Sequence, residues 1–145
     1  DSSVLITYQE IGYLDLLQVL FHELIVPPAV AHEITPSLRK LPDWVTIVHP
    51  SSVHAGAEGL DAGEQQAISL APEISAQSVL LDDLPARRRA EEMRLPVIGS
   101  VGILLIAKDH GYIESVRPHM DSMRATSLYL SDRVYEGILR AAGER

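Results

Sequence analysis

The sequence contains no cysteine, few aromatic residues and no long apolar run. The absence of cysteine from its 145 residues excludes thiolate catalysis, iron–sulfur clusters, Cys-based zinc sites and disulfides. Aromatic residues make up 5% of the chain, too few to predict a base-stacking platform for nucleic acid. No apolar run approaches the roughly 20 residues of a membrane-spanning helix, and no basic segment precedes an apolar stretch at the start. We therefore expect a cytoplasmic protein whose chemistry uses oxygen and nitrogen groups.

Basic residues are scarce in the first part of the chain. The formal charge is −8, from 20 acidic and 12 basic residues. Residues 1–86 contain two bases against twelve acids, whereas residues 87–145 contain ten bases and eight acids. The acidic total argues against indiscriminate nucleic-acid binding, but a local positive face that begins at Arg87 could still bind a polyanion.

Short apolar runs alternate with helical patterns along the chain, without a linker or an internal repeat. Runs of apolar and β-branched residues predict strands at 24–26, 44–48, 78–81 and 96–99. Helical spacing predicts helices over 11–21, 64–70, 86–93, 101–110, 113–124 and 131–142, and a brief helix that begins at residue 28 or 29 and is ended by Pro36. Residues 51–63 are expected to form a loop. The alternation predicts one α/β domain over residues 1–145, with helices on both faces of a parallel sheet.

Five acidic residues lie where such a fold gathers ligand-binding groups. In open α/β sheets the ligand crevice lies beyond the carboxyl ends of the strands. Asp82 and Asp83 end an apolar run, Glu64 opens a helix, Glu33 lies one turn into the helix after the strand at 24–26, and Asp1 ends a strand if a segment precedes it. These five residues are therefore candidates for one site.

A cluster of this kind predicts a divalent metal ion. Carboxylates held close together raise one another's pKa unless a cation neutralises them. Mg²⁺ and Mn²⁺ prefer hard oxygen ligands, and one or two such ions would orient a water molecule and neutralise charge on a scissile phosphate. The acids therefore predict phosphate chemistry.

Each acid also has a simpler interpretation. Asp82 or Asp83 could be a solvated strand end or the N-cap of the next helix, and Glu64 could be a first-turn acid favoured by the helix dipole. Glu33 could be an exposed helix residue, and Asp1 a frayed terminus. The metal-site hypothesis therefore depends on the joint occurrence of the five acids.

Six parts of the chain occur in an order and spacing that resemble a known family. They are residues 1–6, 11–17, 26–34, 60–68, 80–87 and 99–105. Together they resemble a PIN domain of the kind found in VapC-type toxins and their uncharacterised bacterial and archaeal relatives. The resemblance implies a three-layer α/β/α nuclease with a central parallel sheet, Mg²⁺ or Mn²⁺ in an acidic pocket, and RNA as the substrate. It also implies a small antitoxin partner for many members.

The resemblance places the family's acids at numbered positions of this sequence. The first would be Asp1, the second Glu33, the third Glu64 and the fourth Asp82 or Asp83. A glutamate stands at the third position, where toxin-type members more often have an aspartate. The family's usual strand before the first acid is absent, so we expect that a short N-terminal strand is missing.

Three further residues are candidates for the substrate side of the site. Ser3 and Ser100 could add hydroxyl groups to the water shell of a metal, or could be helix N-caps. Arg87 follows the acid pair and could grip a phosphate, because arginine binds phosphate in a fork geometry, or could instead pair with nearby acids. Residues 128–130 and the apolar face of the first predicted helix are candidates for a homodimer or higher homo-oligomer contact, and a place in the core is their simpler interpretation.

These observations lead us to expect a metal-dependent, toxin-like endoribonuclease. The alternative is a catalytically weak or inactive PIN-like module that binds RNA or a protein partner. A phosphotransfer receiver domain also uses acids with Mg²⁺, but its acid pair belongs at the end of the first strand, whereas the pair here stands at residues 82 and 83.

Overall fold

The computed structural model describes residues 1–145 as a mixed assembly of eight α-helices and four short strands. The first half contains α1 (Ser2–Glu10), α2 (Leu14–Phe21), β1 (Leu24–Val26), α3 (Pro28–Leu38), β2 (Val45–Ile47), a 3₁₀ turn (Ala55–Ala57) and α4 (Ala62–Glu73). The second half contains β3 (Val79–Leu80), α5 (Leu84–Glu92), β4 (Val97–Ile98), α6 (Ser100–Asp109), α7 (Arg117–Arg124) and α8 (Asp132–Ala141). No helix has both the length and the apolar character that crossing a membrane requires.

The strands form two separate parallel pairs. Strand β1 pairs with β2 in the register Leu24 to Val45, and β3 pairs with β4 in the register Val79 to Val97. All four predicted strands are present, each shortened at one or both ends except β1. Helices connect the strands of each pair, as parallel pairing requires. The predicted α/β fold with parallel strands is therefore confirmed.

The first predicted helix is wrong in its boundaries. A helix over 11–21 was expected, but α1 ends at Glu10 and α2 begins at Leu14. Gly12 separates them at φ +79°, a backbone conformation that a side chain disfavours. The sequence pattern did not predict α1, although its buried apolar residues Val4, Leu5 and Tyr8 have helical spacing.

Two helix ends also differ from prediction for identifiable reasons. Pro36 does not end α3, which continues to Leu38, because the carbonyl that loses its partner belongs to exposed His32 and can bond water. The helix expected over 113–124 begins only at Arg117. There the carboxylate of Glu144 accepts the backbone N–H groups of Val116 and Arg117, at 2.8 and 3.2 Å, and so fixes the helix start.

The core consists of two clusters of buried residues. The larger packs α1, α2, α3 and α6 with α7 and α8, and its fully buried residues include Tyr8, Leu17 and Leu104. The smaller packs α4 and α5 against β3 and includes Ile68 and Leu81. Packing of both clusters brings the N-termini of α1, α4, α5 and α6 towards the carboxyl end of β3.

Candidate functional site

Asp1 lies at the carboxyl end of β3 and begins α1. Its Oδ1 accepts the backbone N–H of Ser3 at 2.7 Å, so the predicted frayed terminus is wrong: Asp1 is the N-cap of α1. Its Oδ2 accepts the backbone N–H groups of Asp82 at 3.0 Å and Asp83 at 3.4 Å. The Asp1 amine donates to the carbonyl of Leu80. Asp1 therefore joins the end of β3 to the start of α1.

The charges around Asp1 are mainly negative. Burial lowers the pKa of the Asp1 amine to about 6, while the nearby carboxylates of Asp82, Glu64, Glu33 and Asp61 act to raise it. The four carboxylates therefore lie near the start of α1, and they come from three separate segments of the chain, because Asp61 and Glu64 both belong to the start of α4.

Asp82 accepts hydrogen bonds from two serines, one of which begins α6, and it does not cap the helix that follows it. Its Oδ1 accepts the backbone N–H of Ser100 at 2.7 Å, and its Oδ2 accepts the Ser100 hydroxyl at 2.6 Å and the Ser3 hydroxyl at 3.1 Å. The single hydrogen of the Ser3 hydroxyl is shared between Asp82 and the closer carboxylate of Asp1. The alternative prediction that Ser3 and Ser100 are N-caps is wrong, because Asp1 caps α1 and Gly99 precedes α6. Both serines instead orient Asp82.

Tyr8 holds the backbone of Ser100 from within the core. The sequence analysis did not identify it as a site residue. Its hydroxyl donates to the carbonyl of Ser100 at 2.7 Å, and its side chain is fully buried. Burial, together with the negative charge of Asp82, raises the pKa of Tyr8, so the phenol keeps the proton that it donates. No local pattern marks Tyr8, because its partner lies 92 residues away.

Glu64 is the buried acid of the site, with 8% of its surface exposed. Its backbone N–H donates to Asp61, the N-cap of α4, at 2.9 Å. Burial raises the pKa of Glu64 to about 7, and the charges of Asp61 and Asp83 add to the effect. Asp61 is a site residue that the sequence prediction missed, although its position three residues before Glu64 is an N-cap signal.

The remaining acids lie at the rim of the crevice. Asp83 is exposed and caps α5 by accepting the backbone N–H of Ala86 at 3.1 Å, so the N-cap interpretation is confirmed for this member of the pair. Glu33 is exposed, as its simpler interpretation predicted, and accepts the Ser2 hydroxyl at 2.5 Å. A Cβ atom at Gly63 would lie 2.7 Å from Glu33 Oε1, so this glycine allows α3 and α4 to bring Glu33 and Glu64 together.

Arg87 extends from the first turns of α5 across the turn between β4 and α6. A Cβ atom at Gly99 would collide with its guanidinium and would lie 3.2 Å from Asp82 Oδ1. The guanidinium is therefore beside Asp82, yet the ion pairs of the structure are Lys108 with Glu144 and Arg124 with Asp132. The predicted alternative that Arg87 pairs with nearby acids is wrong: its guanidinium donates to the carbonyl of Leu81 at 3.5 Å, and its charge is not paired with an acid.

The donor set of the crevice fits a hard divalent cation in its chemistry. Every group is a carboxylate or hydroxyl oxygen, and no basic side chain forms an ion pair with the acids. The raised pKa of Glu64 comes first from burial, and the charges of Asp61 and Asp83 add to it. No three acidic or histidine side chains converge on one point as ligands, because hydrogen bonds from Ser2, Ser3 and Ser100 hold several of the oxygens. The side chains would therefore have to turn to bind an ion.

Comparison with known proteins gives one match. A protein-family model described as a PIN domain matches residues 1–144, almost the whole chain. No curated protein and no solved structure matches the chain.

Proposed function

Because this chain belongs to the PIN domain family, we propose that it is a metal-dependent endoribonuclease whose active site is the acidic crevice around Asp1. PIN domains are generally nucleases and typically use divalent metal ions. The observation that carries the proposal is the set of carboxylates from Asp82, Glu64, Glu33 and Asp61 that lie near half-buried Asp1 without a compensating ion pair.

The metal would be Mg²⁺ or Mn²⁺. We assign Asp1, Glu33, Glu64 and Asp82 as the residues that hold it, with Asp83 at the rim. A bound ion of this kind supplies a water molecule of lowered pKa and neutralises charge that develops on a scissile phosphate. Glu64 must release its proton to act as a ligand, since a protonated carboxyl group is a poor ligand for a hard cation.

The residues around the acids have separate tasks in this proposal. Ser3 and Ser100 hold the Asp82 carboxylate in one orientation, as groups that hydrogen-bond to metal ligands commonly do. Arg87 binds a phosphate of the RNA backbone, because its guanidinium forms no ion pair with an acid and lies beside Asp82. The sparse aromatic residues leave backbone charge and crevice shape as the main means of holding RNA.

A toxin-like role adds two expectations about partners. A small antitoxin protein would silence the enzyme by covering the crevice. A homodimer or higher homo-oligomer would use apolar surface outside the site, and Tyr129, with 88% of its surface exposed, is the most exposed large apolar residue of the chain. We place this activity in the cytoplasm.

Cleavage of labelled RNA tests the proposal. The protein is incubated with a 5′-labelled single-stranded RNA and Mn²⁺, alongside Asp1→Asn, Asp82→Asn and, as a matched control, Asp109→Asn. Asp109 is exposed at the far end of α6 from the crevice. We expect products with 5′-phosphate and 3′-hydroxyl ends from the unmodified chain and the control, with EDTA or either site variant abolishing them. Cleavage undiminished in both site variants would refute the enzyme and favour the alternative, an inactive PIN-like module that binds RNA or a protein.

A further inference from the structure

The connector, defined here as residues 51–60, lies between β2 and α4 and packs against two helices. The backbone N–H of His54 donates to the hydroxyl of Ser69, a buried residue of α4, at 2.8 Å. Ala57 is fully buried among residues of α4, β3 and α5. The predicted loop is therefore attached to the elements on either side of it.

Arg89 holds the connector from the side of α5. It lies in the last turn of that helix, and its Nη1 donates to the carbonyls of Gly56 at 3.0 Å and Glu58 at 2.6 Å. Each terminal nitrogen of a guanidinium group carries two hydrogens, so one nitrogen can satisfy both carbonyls. A Cβ atom at Gly56 would lie 2.9 Å from the sulfur of Met93, so the connector also packs closely against the end of α5.

Arg89 differs in its surroundings from the two arginines that precede it. Arg87 lies at the crevice, and Arg88 is exposed to solvent. Arg89 is half-buried and forms no ion pair, and both of its hydrogen bonds go to backbone carbonyls of the connector. Its position therefore suits it to hold the connector and not to bind RNA.

The connector leads directly into the acids of α4. Gly59 turns the chain at φ +84°, a conformation that a side chain disfavours. Two residues later Asp61 caps α4, and its carboxylate accepts the backbone N–H of Glu64 at 2.9 Å. The placement of this first turn therefore depends on where the carbonyls of the connector are held.

We propose that Arg89 is a positioning residue for the metal site. By holding two carbonyls of the connector, it fixes the first turn of α4, and with it Glu64, relative to α5. Helix α5 begins two residues after Asp82, so Arg89 sets the separation between ligands that come from different elements. The inference rests on the proposed nuclease function, in which Glu64 and Asp82 hold the same ion.

Hydrogen exchange in EDTA tests the placement of α4 without metal or RNA. Arg89→Met removes the donors, Arg89→Lys keeps a donor on a shorter side chain, and Arg88→Met is the matched control. We expect Arg89→Met to speed exchange of the Glu64 and Gln65 amides, which bond to Asp61, by at least about fivefold. Amides in the middle of α6 should not change, and the control should match the unmodified chain.

Mn²⁺ binding and single-turnover cleavage test what this placement does for the site. Arg89→Met should weaken Mn²⁺ binding and lower kcat by about tenfold, as loss of groups that orient metal ligands commonly does. KM for RNA and the salt dependence of binding should stay within about twofold of the unmodified chain, because no phosphate contact is lost. Arg89→Lys should recover part of the Mn²⁺ affinity, since it still offers a donor to the two carbonyls.

Three results would overturn the assignment of Arg89 alone. The first is Mn²⁺ binding by the unmodified chain that Arg89→Met leaves unchanged. The second is a raised KM with a reduced salt dependence, which would make Arg89 a phosphate contact. The third is faster exchange throughout the chain, which would make it a residue of general stability. Absence of Mn²⁺ binding by the unmodified chain would instead overturn the nuclease and this assignment together.

Discussion

The carboxylate of Asp82 accepts two hydrogen bonds from Ser100, one from its backbone N–H at 2.7 Å and one from its hydroxyl at 2.6 Å. Ser100 is fully buried and begins α6, and Tyr8 holds its carbonyl from within the core. The acid at the end of β3 is thus oriented by the helix that follows β4. A carboxylate whose orientation is fixed in this way suits a metal ligand, because groups that hydrogen-bond to a ligand set the direction in which it faces the ion.

Removal of the Ser100 hydroxyl should disturb the site more than the fold. We expect Ser100→Ala to lower RNA cleavage and Mn²⁺ affinity by about 10- to 100-fold, because Asp82 loses one of its orienting bonds. The free energy of unfolding should fall by only about 1 kcal/mol, the net value of a typical hydrogen bond. Tyr8→Phe is the companion variant, and it should lose stability with a smaller effect on Mn²⁺ affinity. A Ser100→Ala protein with full activity would show that the hydroxyl does not orient a ligand.

The two acids of the Asp82–Asp83 pair should differ in their contribution to activity. Asp82→Asn should reduce cleavage at least about 100-fold, since it removes the charge nearest to the serines and Arg87. Asp83→Asn should reduce cleavage less than about tenfold and leave stability nearly unchanged, because asparagine caps a helix as well as aspartate does. Rate constants from single-turnover cleavage, with urea unfolding as the check on folding, measure both. The reverse order of effects would assign the ligand to Asp83.

Glu64 should make stability depend on pH when no metal is present. Its pKa in the folded protein is raised to about 7 from an ordinary value of 4.5, so the folded state holds a proton that the unfolded chain has lost. This contribution to stability is complete below about pH 4.5 and is lost as pH rises through about 7. In EDTA, Tm of the unmodified chain should therefore fall by about 3–6 °C relative to Glu64→Gln between pH 5 and 8.

The control for this prediction is Glu10→Gln, since Glu10 is exposed at the other end of α1. It should follow the unmodified chain across the whole pH range. A Glu64→Gln protein whose Tm follows that of the unmodified chain would mean that this carboxyl is ionised at pH 5 in the folded state.

Gly99 should control RNA binding through Arg87. We expect Arg87→Met to raise KM for RNA about tenfold with little change in kcat, and to reduce the salt dependence of binding by about one phosphate contact. Gly99→Ala should act in the same direction, because its methyl group displaces the guanidinium. The double variant should be no worse than Arg87→Met alone. Arg88→Met, in an exposed neighbour, is the control, and an equal effect from it would reduce the role of Arg87 to general surface charge.

Much of the site could be predicted because its residues lie at element ends. Asp82 and Asp83 follow a run of apolar residues, and Glu64 opens a helix, so parallel topology alone brings them together. Their different roles could not be predicted, since the sequence contains no sign that Ser100 points at Asp82 while Asp83 caps α5. These roles depend on contacts between residues far apart in the chain.

The misplaced helices have different causes. The buried residues Val4, Leu5 and Tyr8 of α1 have helical spacing, so α1 could have been predicted from its own pattern. The start of α7 depends on Glu144, which comes from the far end of the chain and accepts the N–H groups there. Long-range contacts of this kind override local patterns, whereas strand β1 was predicted correctly because its residues and the prolines after it act locally.

Equilibrium binding of Mn²⁺, measured by calorimetry or by the electron paramagnetic resonance signal of free ion, tests most directly whether the acids form one metal site. We expect the unmodified chain and Asp109→Asn to bind Mn²⁺ with equal affinity, and Asp82→Asn and Glu64→Gln each to bind it at least about tenfold more weakly. The same affinity in all four proteins, or no binding by the unmodified chain, would contradict the account.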